Sequence, residues 1–150
     1  MPRYTGAWDA DGVAAFLSEA TIPLRLACLT AQERLWMLSL WFRWDDETPA
    51  LWCATGVDAD VVGYLEANDE VSFEVSTNDP PYRGVRGNGT ATVEPDPDKE
   101  LLERLIVRYL GDTDNDLARG LLSADREEVR IRIEPRRLYS WDFSDRMADV

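Results

Sequence analysis

Between Leu35 and Val93 the chain reads strand, strand, helix, strand, strand, and this order most narrows what it can fold into. Leu35–Trp44 is a run of aromatic and long apolar residues. An acidic turn, Asp45-Asp46-Glu47-Thr48-Pro49, separates it from a second strand, Ala50–Thr55. Asp58 caps a short helix that reaches Ala67, with Val61, Val62 and Leu65 as its apolar stripe. Val71–Ser76 and Tyr82–Val93 are further strands, the last carrying Gly84, Gly87 and Gly89. A doubly wound parallel sheet needs a crossover after each strand, and most of these joints are tight turns. The stretch predicts a small barrel with one helix as its plug.

The flanks fit the same plan. Trp8–Thr21 predicts an N-terminal helix, capped by Asp9 or Asp11, with Val13, Phe16 and Leu17 on one face. Leu24–Thr30 reads as a strand that turns at Gln32-Glu33. Asp96 or Asp98 opens a longer helix with Leu101, Leu102, Leu105, Ile106, Tyr109 and Leu110 at helical spacing, and Gly111 stops it. Leu117–Leu122 has room for a turn or two of helix. Glu128–Glu134 alternates as a half-buried strand, and Leu138–Phe143 continues after Pro135. The expected fold is therefore mostly β with α: a single domain over residues 1–150, a β-barrel of about six or seven antiparallel strands. It carries an N-terminal helix, a short helix after the third strand and a longer helix before the last strands.

In the Leu35–Trp44 run, Trp36, Leu38, Leu40 and Phe42 alternate with Met37, Ser39, Trp41 and Arg43. Both sets are largely apolar, so both faces are expected to be covered. The barrel core covers one; a dimer partner or a bound aromatic ligand would cover the other.

The net charge is −13, from 29 acidic against 16 basic residues. Phosphate-rich partners would be repelled, so neither nucleic acid nor an anionic membrane is an expected partner. The acids are spread over every segment and Lys99 is the sole lysine. Such a surface suits molar salt, where the Debye length falls to about 3 Å, and points to a halophilic archaeal source. The chain has no His, which removes His-based acid–base chemistry, Ser-His-Asp triads and His-ligated zinc. Cys28 and Cys53 lie in apolar strand sequence, as buried free thiols do; a disulfide or a metal pair is the lesser alternative. A signal segment and an apolar run near 18 residues are both missing, so a cytoplasmic location is expected.

Several pieces in order then resemble one family, the FMN-binding split barrels typified by pyridoxamine 5′-phosphate oxidase. They are Ser39-Leu40-Trp41-Phe42 before the acidic turn, and Leu51-Trp52-Cys53-Ala54-Thr55-Gly56 before the Asp58 helix. Asn68-Asp69-Glu70-Val71-Ser72-Phe73 follows, then Arg83 to Val93 with Gly89-Thr90-Ala91, and finally Arg137 to Phe143 with its Trp141. The resemblance covers roughly Ile22 to Phe143. It implies a homodimer with cofactor sites at the interface and a flavin ring along the Ser39–Phe42 strand. It also implies a phosphate near Thr55 and the start of the following helix, where free N–H groups suit an anion.

The sequence departs from that family at the phosphate. The usual Lys position holds Val61, the residue before it is Asp60, and Asp58 adds a second carboxylate. The family's Arg falls on Leu35 and its polar fourth-strand residue on Gly84. Arg25, Arg43, Arg83 and Arg86 are the available replacements, with Thr77 as a hydrogen-bonding group and Trp41, Trp52 and Trp141 as walls for a flat ligand. The arginines equally suit surface ion pairs, the glycines bulges in a bent strand, and the tryptophans core or interface filling. The candidate cofactor-binding residues are thus Ser39, Leu40, Trp41, Ala54, Thr55, Thr77, Arg83, Arg86 and Trp141. No catalytic side chain and no metal ligand stands out.

Two functions follow. One is an FMN-dependent oxidoreductase, with F420 as the alternative cofactor, in which the flavin carries the redox chemistry and no His is needed. The other is a split-barrel dimer that binds FMN, F420 or another planar ligand without turnover, or binds no cofactor.

Overall fold

The computed structural model describes residues 1–149. The elements run β1 (Arg3–Gly6), α1 (Ala10–Glu19), β2 (Leu24–Leu29), β3 (Leu35–Leu40), β4 (Phe42–Asp45) and β5 (Ala50–Gly56). They continue with α2 (Asp60–Ala67), β6 (Glu70–Ser76), β7 (Arg83–Pro95), α3 (Glu100–Leu110), α4 (Asp116–Leu121) and β8 (Glu128–Asp142). All the strands form one sheet in the order β3-β2-β6-β7-β8-β5-β4, with β1 added parallel to β8.

The ends of that order explain the barrel. β3 and β4 are the two ends of the sheet, yet Trp41 alone separates them in sequence. The sheet must therefore curl until its edges meet. β3 pairs with β2 and β4 pairs with β5, so a seam without a ladder runs between the halves. The fold is mostly β with a few helices, a split barrel, as the sequence predicted.

Leu24, Leu26, Phe42, Leu51, Val85, Ile131, Ile133 and Leu138 fill the core. α1 presents Val13, Phe16 and Leu17 to it, and α2 presents Val61, Val62 and Leu65. Asp9 caps α1 by accepting the Gly12 N–H at 2.9 Å. At its other end Arg108 of α3 donates to the carbonyls of Leu17, Ser18 and Ala20, a cation on the free acceptors of a helix C-terminus.

Four local expectations are corrected. The Leu35–Trp44 run is two strands, because at Trp41 the chain changes pairing partner without changing which side chains face inward. On its outer face the single chain leaves Leu35 85% and Met37 65% exposed, so any cover for β3 comes from outside the chain. α2 starts at Asp60 with Ala59 as its N-cap, so Asp58 lies outside the helix. α3 follows Lys99 in the left-handed region (φ 56), and buried Asp96 serves its first turn by accepting the Leu101 N–H at 3.2 Å. β8 passes unbroken through Pro135, which sits where the partner of β8 changes from β5 to β1, while β7 and β8 shift register between Asn88 and Gly89. β1 itself is an addition: four residues without alternation give no strand signal, and their partner is far off in sequence.

Among the described residues no helix is long and apolar enough to cross a membrane. Cys28 and Cys53 are buried and unpaired in the described structure.

Candidate functional site

Register across β3, β2, β6, β7 and β8 builds one outward-facing surface. Ser39 lies opposite Arg25, Arg25 opposite Glu74, Glu74 opposite Arg86, and Arg86 opposite Tyr139. The next rung reads Met37, Ala27, Ser72, Asn88, Arg137. Small residues in its middle leave a groove of about 380 Å³, lined by Arg25, Met37, Ser72, Arg86, Asn88 and Tyr139 among others. β3 ends the sheet, so one side of its backbone has no ladder partner.

Aromatic residues line the β8 side. Tyr139 and Trp141 stack with centroids 6.4 Å apart. The Arg86 guanidinium lies 4.5 Å from the Tyr139 ring centre and 5.4 Å from that of Trp141. Gly84 allows this packing: a Cβ there would stand 2.7 Å from Trp141 Cζ2 and 2.7 Å from the Val75 carbonyl. The space over Gly84 is thus taken by the chain's own indole.

The structure brings Ser39, Arg86 and Trp141 together on this face. The other candidates lie elsewhere. Trp41 and Ala54 pack under α3 and α4, against Leu102, Ile106 and Ala118. Leu40 packs on the barrel core, and Thr55 is half-buried opposite Val129. Thr77 pins its own hairpin, where its hydroxyl accepts the Arg83 N–H at 3.2 Å. The Arg83 guanidinium sits over Phe16 of α1, 5.8 Å from the ring centre. Trp52 lies under Arg130 and Arg132 on the outside of the other half.

Sequence reasoning passed over Arg137, Tyr139 and Met37. The signal was available: Arg137 and Tyr139 share the period-2 face of Trp141, and Met37 that of Ser39.

The phosphate position that the resemblance implies carries no cation here. Val61 is 1% exposed and part of the core, although the first turn of α2 has no side-chain cap and keeps its N–H groups free. Asp58 and Asp60 are exposed beside that turn and put negative charge where a phosphate would need positive.

The sequence matches no family model and no curated protein. Solved structures share its fold. A conserved hypothetical protein from Mycobacterium tuberculosis superposes with a TM-score of 0.72 at 23% identity, over 95% of this chain and 89% of its own. An F420 reductase gives 0.65 at 24% identity, over 81% of this chain and 92% of its own. A pyridoxamine 5′-phosphate oxidase candidate from Listeria innocua gives 0.61 at 16% identity, over 87% and 96%. At these identities the likeness establishes architecture: the chain has the split-barrel fold.

Proposed function

We propose that this chain binds a flavin-type cofactor in the outer groove and acts as an oxidoreductase, working as a homodimer whose seam encloses that groove. FMN is the leading cofactor and F420 the alternative. The observation that carries this reading is the open sheet face itself. It joins an exposed apolar residue (Met37), the neighbouring unpaired strand edge (β3) and Tyr139, itself stacked on Trp141, around one cavity. The fold neighbours named F420 reductase and pyridoxamine 5′-phosphate oxidase lend support.

The residues present suit the ring of such a cofactor. Met37 and Tyr139 offer apolar and π surface in the groove, while Ser39 and the free edge of β3 beside it offer hydrogen-bonding groups. A bound flavin would supply hydride or electron transfer, and the chain would supply position and exclusion of water. A cytoplasm of high salt is the setting that suits the acidic surface.

The acidic, lysine-free start of α2 and the indole over Gly84 favour a second reading, a planar-ligand binder without turnover. A visible spectrum of protein purified in molar KCl decides between them. Flavin bands that bleach with a reduced nicotinamide or with reduced F420 support the enzyme. Bands that never bleach leave the binder. A colourless protein that takes up neither FMN nor F420 at about 100 μM, near saturation for a micromolar site, removes the flavin altogether.

A further inference from the structure

We infer that Arg25, Arg86 and Arg137 hold the phosphoryl arm of the ligand on the outer sheet face, in place of the first turn of α2. This rests on the flavin reading for the identity of the ligand, but the anion site stands on its own geometry.

Placement comes first. Arg25 and Arg86 occupy one rung, separated by Glu74 on the strand between them. At about 4.8 Å per strand their Cα atoms are about 10 Å apart. Arg137 lies on the adjoining rung of β8, opposite Asn88. All three line the same groove. Long guanidinium side chains easily converge over that span on a group the size of a phosphate.

Their hydrogen-bonding capacity comes next. The chain has 29 acidic residues, yet among the described residues none of these three arginines forms an ion pair. Glu74, the acid between them, forms an ion pair with neither: its Oε1 accepts the Ser76 hydroxyl at 2.7 Å. Arg86 rests on aromatic faces, which position a guanidinium without using its N–H donors. The one side-chain hydrogen bond of Arg25 is a long one, 3.4 Å, to the Pro23 carbonyl. An oxyanion is what such a set of donors lacks.

The competing location argues the same way. A phosphate carrying about −2 charge would meet Asp58 and Asp60 at α2, with a buried Val61 where a lysine would be needed.

The test titrates the full chain with FMN, with riboflavin, which lacks only the phosphate, and with inorganic pyrophosphate. It compares wild type, Arg86→Gln/Arg137→Gln and Asp58→Asn/Asp60→Asn, each first shown to unfold at a similar temperature. Wild type should prefer FMN over riboflavin by about tenfold or more. The arginine variant should lose that preference while its riboflavin affinity moves less than about twofold. The aspartate variant should keep the preference unchanged. A preference that survives in the arginine variant, or FMN affinity that rises several-fold in the aspartate variant, would overturn the placement and leave the flavin reading intact. If neither flavin binds, the flavin reading falls alone and pyrophosphate decides the anion site. Saturable thermal stabilisation that disappears in the arginine variant upholds it, and no stabilisation of wild type sinks it.

Discussion

The ring of Tyr109 lies on that of Trp41, centroids 5.2 Å apart and planes 7° from parallel. The same phenol oxygen accepts the Phe42 N–H at 3.2 Å and donates to the Ile22 carbonyl at 3.0 Å. α3 therefore grips the one-residue corner where the chain passes from one half of the barrel to the other. Tyr109→Phe keeps the stack and strands the Phe42 N–H. A buried donor left unpaired costs about 1–3 kcal/mol, and denaturant unfolding should show a loss of that size. Tyr109→Ala should lose more, because the stack goes as well. A Tyr109→Phe protein as stable as wild type would mean that water replaces the phenol at the seam.

Glycine positions divide by the room around them. A Cβ at Gly87 would stand 2.2 Å from the Arg137 carbonyl oxygen, and one at Gly89 2.1 Å from that of Glu134. These neighbours are backbone of a central strand and cannot move without breaking the β7–β8 ladder. Gly87→Ala should destabilise by more than about 2 kcal/mol or prevent folding. Gly63, inside α2, has nothing within 4 Å of its added Cβ. Gly63→Ala should stabilise by about 0.5–1 kcal/mol through helix propensity. Paired thermal melts check both signs.

How far the sequence revealed the molecule follows from the range of each interaction. Trp36, Leu38, Leu40, Phe42 and Trp44 face inward as their alternation predicts, since side-chain facing is local. The switch of partner at Trp41 is not legible, because the alternation runs through it unbroken and the new partner is set by closure of the whole sheet. β1 escaped for a related reason: its strand character comes from β8, more than a hundred residues away. At the candidate site, Ser39, Arg86 and Trp141 carried their own signal. That Arg25 would lie two strands from Arg86 depends on β6 inserting between β2 and β7, a non-local event. Trp41 as a wall for a ligand and Ala54 as a cofactor contact fail for one reason: the covering role of α3 and α4 has no mark in the strand sequence.

Alkaline stability should report the Cys53 thiol. Complete burial pushes it from 9.0 up to about 12. The folded state thus keeps the proton that the unfolded chain releases above pH 9. The stabilisation is full below pH 9 and is lost as pH rises towards 12, by about 1.4 kcal/mol per pH unit. Tyr109 and Tyr4, also raised chiefly by burial, act with the same sign at higher pH. Unfolding free energies measured from pH 8 to 11 should fall more steeply in wild type than in Cys53→Val, whatever the variant's stability at pH 7. Equal slopes would show that the thiolate is tolerated in the folded chain.

Salt should stabilise the fold. Ion pairs such as Arg104–Glu100 and Arg136–Glu70 are exposed, and pairs of that kind contribute little. Their loss to screening is small beside the relief of repulsion in a chain of net charge −13. The thermal midpoint should rise steadily from about 0.1 M to about 2 M KCl. A flat or falling curve would remove the high-salt setting and leave the acid excess to be explained by a basic partner.

The proposed homodimer makes its own demand on β3. Leu35 and Met37 are 85% and 65% exposed in the single chain and stand outside the buried core cluster. Leu35→Glu/Met37→Glu should therefore leave the thermal unfolding of the isolated barrel nearly intact, within about 0.5 kcal/mol, as surface substitutions usually do. The same change would place four like charges in a seam built on this face, two from each copy, and a two-fold seam brings them together. Light scattering in high salt should give a dimer for wild type and a monomer for the variant, with cofactor uptake lost in step. A wild type that is already monomeric would leave the groove open to solvent and remove the partner from the site. A variant that stays dimeric would move the interface to another face, with Val107 and Leu117 on the helical side as the next exposed apolar residues to test.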